Sequence, residues 1–130
     1  MCGRYRKYED GAQESGISIL NSNIDKIVFF NRKAEYKCTS TDYEYTNLSV
    51  TIPANCVYSI GARQTFSYSK PTGIALAKSD MNSWNVYAIG SSNCCSVSGY
   101  TEEELTLSVY AKWEAVGMNR VTLGGFYRKI

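Results

Sequence analysis

Between Leu105 and Trp113 every second residue is apolar. Leu105, Leu107, Val109, Ala111 and Trp113 alternate with Thr106, Ser108, Tyr110 and Lys112. On a helix these five side chains would scatter around the circumference. On a strand, successive side chains point to opposite sides, and the same five form one apolar face. The stretch Val57–Tyr68 follows the same rule. Tyr58, Ile60, Ala62, Phe66 and Tyr68 fall on one side, interrupted only by Gln64, and Ser59, Gly61, Arg63, Thr65 and Ser67 fall on the other. Two long strands, each with one face to bury and one to solvate, require an antiparallel sheet packed against a second layer.

Shorter segments extend the pattern. Gly73–Lys78 follows the Lys70-Pro71-Thr72-Gly73 turn, and Trp84–Ile89 follows the loop Ser79–Ser83. Cys94–Ser98 is framed by glycines, and a turn around Gly117-Met118-Asn119 leads to a last strand beginning at Val121. The pair Gly124-Gly125 interrupts that strand, which marks a bulge or a close backbone approach; a bulge is expected ahead of a ligand contact. Upstream, Ile24–Phe30, Lys33–Cys38 and Asp42–Ile52 are three more strand candidates. In the last of these, Tyr43 and Tyr45 are out of phase with Leu48, Val50 and Ile52, which places a bulge near Asn47. Thr101-Glu102-Glu103-Glu104 reads as an acidic loop or at most one helical turn. About eight strands with turn signals at this spacing predict an all-β, antiparallel, jelly-roll-like sandwich. No amphipathic stretch supplies the crossover helices that a parallel sheet needs. Residues 1–16 are polar and aperiodic and are expected to form a flexible N-terminal arm, with residues 17–130 forming a single sandwich domain.

Composition narrows the function. A chain of 130 residues buries roughly two-thirds of its unfolded surface, so it needs no disulfide or metal to fold. Fourteen basic against twelve acidic residues give a net charge of +2. The densest basic stretch, Arg4, Arg6 and Lys7, is followed at once by Glu9 and Asp10, so a mixed solvated surface is expected and nucleic acid is not an expected partner. No apolar run approaches the roughly 20 residues that span a bilayer, so membrane insertion is not expected. The N-terminus lacks the apolar core of a signal peptide.

The chain has no histidine, which removes Ser-His-Asp and Cys-His mechanisms. No phosphate-cradling loop or nucleophile elbow is present. Cys2, Cys38, Cys56, Cys94 and Cys95 form no disulfide framework, and the vicinal pair Cys94-Cys95 points to opposite faces of its strand. Reduced cysteines acting as small apolar residues are expected, with no cofactor and no metal. Glu102, Glu103 and Glu104 would serve a glycosidase only if paired with a carboxylate from another element. Otherwise they are a solvated cluster, and no catalytic residue is assigned. Asn47-Leu48-Ser49 is a glycosylation sequon, relevant only in a eukaryotic secretory pathway.

Aromatic residues are the distinctive class, with eleven Tyr, four Phe and two Trp. Tyr87 and Tyr110 lie on strand faces opposite the expected core, and Tyr43 and Tyr45 join them as candidates. Tyrosine serves protein interfaces and, by stacking on a pyranose ring, saccharide sites. Subunit packing is the first expectation and ligand binding the second.

Several stretches together carry a resemblance: Val50-Thr-Ile-Pro-Ala-Asn-Cys-Val-Tyr-Ser-Ile60, the turn Tyr68-Ser-Lys-Pro-Thr-Gly-Ile74, Ser98-Gly-Tyr-Thr101, the alternating Leu105–Trp113, and the ending Gly124-Gly-Phe-Tyr-Arg-Lys-Ile130. Over roughly residues 42–130 the chain resembles the C-terminal head domains of tail-fibre and baseplate-type proteins from phages and prophages of gut Firmicutes. The resemblance implies a non-enzymatic β-sandwich head that forms a homo-oligomer, with a trimer favoured, and contacts a host-surface saccharide or protein. It also implies a place on the virion or outside the cell after synthesis in the cytoplasm. The alternative is a monomeric carbohydrate-binding domain of a secreted or surface bacterial protein.

Overall fold

The structure, a computed structural model, describes residues 27–65 and 69–130. It has eight strands and, among the described residues, no helix. They are β1 (Ile27–Cys38), β2 (Glu44–Ile52), β3 (Cys56–Thr65), β4 (Pro71–Ala77), β5 (Val86–Gly90), β6 (Cys94–Thr101), β7 (Leu105–Trp113) and β8 (Gly117–Lys129). Strands pair from the outside inward: β1 with β8, β2 with β7, β3 with β6 and β4 with β5, all antiparallel. Two further pairings, β3 with β8 and β4 with β7, knit these ribbons into two four-stranded sheets, β1-β8-β3-β6 and β2-β7-β4-β5. This is a jelly roll, a long antiparallel ribbon folded at the β4–β5 connection and rolled so that its parts face each other.

The alternating apolar residues meet between the sheets. Tyr58, Ile60 and Ala62 of β3 share one buried cluster with Leu105, Leu107, Val109, Ala111 and Trp113 of β7. Val121 and Leu123 of β8 and Ile74 and Leu76 of β4 complete it. Gln64, which breaks the apolar alternation of β3, is buried with the rest. Its side-chain amide donates to the carbonyls of Gly73 (2.8 Å) and Lys112 (3.0 Å), so one polar group from the first sheet ties two strands of the second. Phe66 and Tyr68 lie outside the described residues, as do the expected arm 1–16 and Ile24–Lys26.

Several local expectations change. The two candidate strands Ile24–Phe30 and Lys33–Cys38 are parts of a single strand, β1, whose pairing with β8 runs unbroken through Asn31 and Arg32. The strand expected from Trp84 starts at Val86, because an Asx-stapled loop holds Ser79–Asn85. Gly117, Met118 and Asn119 are strand residues of β8, and the turn falls just before them. Gly124-Gly125 is not a bulge: both registers of β8 pass through it without a shift. Gly125 has φ +148, and a Cβ there would sit 2.1 Å from the carbonyl oxygen of Ser59. Close approach of two strands, not an extra residue, sets the glycine. The irregularity near Asn47 is present. Residues 46–48 oppose the single residue Val109, and Asn47 takes φ 65. Two extra residues leave the alternation intact, so Tyr45 stays on the solvent side, out of phase with the buried Thr46, Leu48, Val50 and Ile52.

Candidate functional site: the outer face of the β2-β7-β4-β5 sheet

The outward side chains of β7 are Thr106, Ser108, Tyr110 and Lys112, because their neighbours fill the core. In register with Tyr110 stand Tyr45 of β2 on one side and Ala75 of β4 on the other, and Ala75 pairs in turn with Ile89 of β5. One row, Tyr45–Tyr110–Ala75–Ile89, therefore crosses all four strands. The rings of Tyr45 and Tyr110 lie 5.7 Å apart at 39°. Ile89 is 60% exposed, whereas Ala75 is fully buried between its larger register neighbours. Burial, with the charge of Asp80 and then Tyr45 adding to it, raises the Tyr110 phenol above its ordinary pKa. The group is a neutral hydrogen-bonding hydroxyl, and it donates to the Ser79 carbonyl at 3.0 Å.

Tyr43 adjoins this row. Its ring lies over Gly73 of β4, where an added Cβ would meet the phenol oxygen at 2.5 Å, so glycine makes room for the ring. The Lys112 ammonium sits 5.0 Å from the ring centroid, a cation–π contact. Tyr43, Lys112, Thr72, Ile89 and Ser91 line a depression of about 440 Å³. Burial first, and then the nearby Cys95, raises the Tyr43 phenol pKa. Three of the four candidate tyrosines thus share one face.

Tyr87 stands apart. With Lys78, Tyr100 and Glu102–Glu104 it lines a second, more polar depression of about 500 Å³. The carboxylates there all come from one exposed loop, so the arrangement lacks the two separately held acids that glycoside hydrolysis uses. Among the described residues no group of three or more cysteine, aspartate or glutamate side chains is placed to hold a metal ion. Cys94 is exposed, while Cys95 turns inward against the core and burial raises its thiol pKa to about 11.

Sequence pattern alone misses Trp84, because the apolar run Val86–Ile89 after it gives it the place of a strand's first residue. It is 89% exposed at the β4–β5 connection. The loop beneath it is held by Asp80, whose Oδ1 accepts from the Asn82 backbone (2.9 Å) and the Asn85 side chain (2.9 Å). Asn82 Oδ1 accepts in turn from the Trp84 backbone at 3.2 Å. The side-chain bond from Asn85, then that from the Asn82 backbone, holds the Asp80 carboxyl below its usual pKa. The spacing Asp80-Met-Asn82-Ser-Trp-Asn85 is the signal that finds this loop, since Asx side chains capture backbone amides two residues on. Tyr110 joins the loop to the face through Ser79. No protein-family model matches the chain, and a search of curated proteins returns no match.

Proposed function

We propose that the chain is a non-enzymatic recognition module of the tail-fibre head type. It assembles as a homo-oligomer, a trimer, and contacts a host-surface saccharide or protein from the virion surface after synthesis in the cytoplasm. The observation that carries this reading is the row Tyr45–Tyr110–Ala75–Ile89. Apolar and aromatic residues on the solvent side of a sheet suit a partner surface: they offer contact area at low cost in side-chain entropy. The jelly-roll fold and the resemblance of residues 42–130 to fibre heads agree with it. Light scattering coupled to size-exclusion chromatography tests it. The expected mass is three copies for the native chain and one copy for Ile89→Glu. A native chain that stays a single copy at high concentration sinks the oligomeric head.

The second reading, a monomeric carbohydrate-binding domain, is favoured by the depression beside Tyr43, where a ring, an ammonium and hydroxyls converge. A glycan array separates the two. On this reading a monomer binds a neutral glycan, and Tyr43→Ala or Tyr110→Ala abolishes the signal.

A further inference from the structure

The near-neutral sequence conceals a segregation of charge. Strands β1, β8 and β3 carry Arg32, Lys33 and Lys37, then Arg120, Arg128 and Lys129, then Arg63, against one acidic residue, Glu35. The fourth strand of that sheet, β6, is uncharged, and the strands of the opposite sheet carry only Glu44 and Lys112. The remaining described acids lie in loops. Strand alternation turns Lys33, Lys37, Arg63, Arg120 and Arg128 to the solvent side of the β1-β8-β3-β6 sheet, because their neighbours Ala34, Tyr36, Ala62, Asn119, Val121 and Tyr127 face the core. Glu35 is engaged by Arg120 at 2.7 Å. Lys33 and Arg63 have no ion-pair partner among the described residues.

The register shows how these groups are set out. Lys33, Thr122, Arg63 and Cys94 form one row across the sheet, with Thr122 between the two free cations. At about 5 Å per strand, Lys33 and Arg63 flank a gap of about 10 Å with a hydroxyl at its middle. Two shallow depressions open here and share Thr65 and Thr122. One, of about 460 Å³, includes Lys33 and Arg120; the other, of about 490 Å³, includes Arg63 and Asn93. The next row is Asn31–Gly124–Gly61–Ser96, with no side chain at its two central positions, and a Cβ at Gly61 would meet nothing nearer than 3.7 Å. Beyond it Phe29 and Phe126 form a wall beside Ser59 and Ser98.

We infer that this face binds an acidic saccharide, with its carboxylate or sulfate held between Lys33 and Arg63 on the Thr122 hydroxyl and its ring on the glycine floor. Charge complementarity selects the anion. The neutral lining of Thr65, Thr122, Asn31, Ser96 and Ser98 offers the hydroxyl and amide groups that a polyhydroxylated chain pairs with. Single-stranded nucleic acid also uses cations beside aromatic rings, but it stacks bases on open ring faces. Phe29 and Phe126 instead tilt against each other at 5.9 Å and 56° and stand two outward rows from Lys33 and Arg63, with the glycine row between. This face is opposite the tyrosine row, so the inference stands whether or not that row packs subunits.

The test measures binding of a heparin-derived octasaccharide (sulfated), an oligogalacturonate (carboxylated) and an oligothymidylate by fluorescence anisotropy. The full chain is expected to bind at least one of the two acidic saccharides, more weakly as salt rises. The double variant K33Q/R63Q is expected to lose about tenfold or more in affinity, while the charge-matched K70Q/K78Q keeps the native value. Glu35→Gln frees Arg120 and is expected to tighten binding by about threefold. Unchanged circular dichroism and melting temperature confirm that each variant is folded. Equal losses in the two double variants, no binding of either saccharide, or tighter binding of the oligothymidylate than of both saccharides would overturn the inference.

Discussion

The indole Nε1–H of Trp113 donates a hydrogen bond to the phenol oxygen of Tyr36 at 2.6 Å, across the space between the two sheets. Trp113 belongs to β7 and Tyr36 to β1, and both are buried. Each therefore satisfies a polar atom that the other layer would otherwise strand. Tyr36→Phe removes the acceptor but keeps the ring, leaving the indole N–H unpaired. The expected loss is about 1–3 kcal/mol in chemical denaturation, with the fold retained.

The same phenol governs behaviour in alkali. Burial, the largest effect, pushes the Tyr36 pKa from 10.0 up to about 12, and Cys95 likewise rises from 9.0 to about 11. Both groups hold their proton more tightly folded than unfolded. Their contribution is complete below about pH 9 and is lost as pH rises through 11 to 12. Denaturation midpoints measured across this range are expected to fall with pH, and Tyr36→Phe is expected to flatten the decline between pH 10 and 12. A midpoint that stays level through that window contradicts the assignment.

Gln64 predicts a second polar staple. Its amide nitrogen serves two carbonyls of the opposite sheet, those of Gly73 and Lys112. Gln64→Leu, although more apolar and similar in size, removes the donor that both carbonyls share in the interior. A destabilisation of about 1–3 kcal/mol is expected, against the trend for burying an apolar side chain.

Two glycines on facing strands are expected to respond oppositely. At Gly125 an added methyl meets the Ser59 backbone at 2.1 Å with φ at +148, so Gly125→Ala forces β3 and β8 apart. A loss of about 2 kcal/mol or more is expected. At Gly61 the nearest atom is 3.7 Å away. Gly61→Ala is expected to be neutral or to stabilise by about 0.5 kcal/mol through the unfolded chain.

The two tryptophans report different regions. Trp84 is 89% exposed and Trp113 is 0% exposed. Acrylamide quenching of the native chain is expected to show an accessible and a protected component. Trp84→Phe removes the accessible one and changes stability by less than about 0.5 kcal/mol.

Period-two alternation carried the two-layer fold and the core, because burial on one side of a strand writes itself directly into residue order. Tyr58, Ile60, Leu107 and Trp113 were readable for that reason. What alternation could not convey was pairing: nothing local distinguishes β8 as the strand lying between β1 and β3. The role of Gln64 was hidden as well, since its partners are carbonyls far along the chain. At the candidate site, Tyr45 and Tyr110 were recognisable one at a time as outward tyrosines, but their adjacency depends on register. Ile89 and Lys112 gained meaning only as their neighbours. The cations on β1, β3 and β8 read as dispersed because they are dispersed along the chain, and only sheet order gathers them.

The outside-inward pairing of strands has a consequence for how the chain acquires its shape during synthesis. Translation delivers residues from the N-terminus, yet β8, the last of the eight described strands to emerge, is an interior member of its sheet, and β7 is an interior member of the other. Until Gly117–Lys129 has left the ribosome, β1 lacks its ladder partner among the described residues and β3 has one of the two it pairs with there. Closing a loop of this span requires ordering before the reward arrives, which places the domain among slow, high-contact-order folders. A nascent chain stalled before Gly117 therefore leaves β1 and β3 with unsatisfied edges, open to pairing with another chain until the thirteen-residue β8 slots between them.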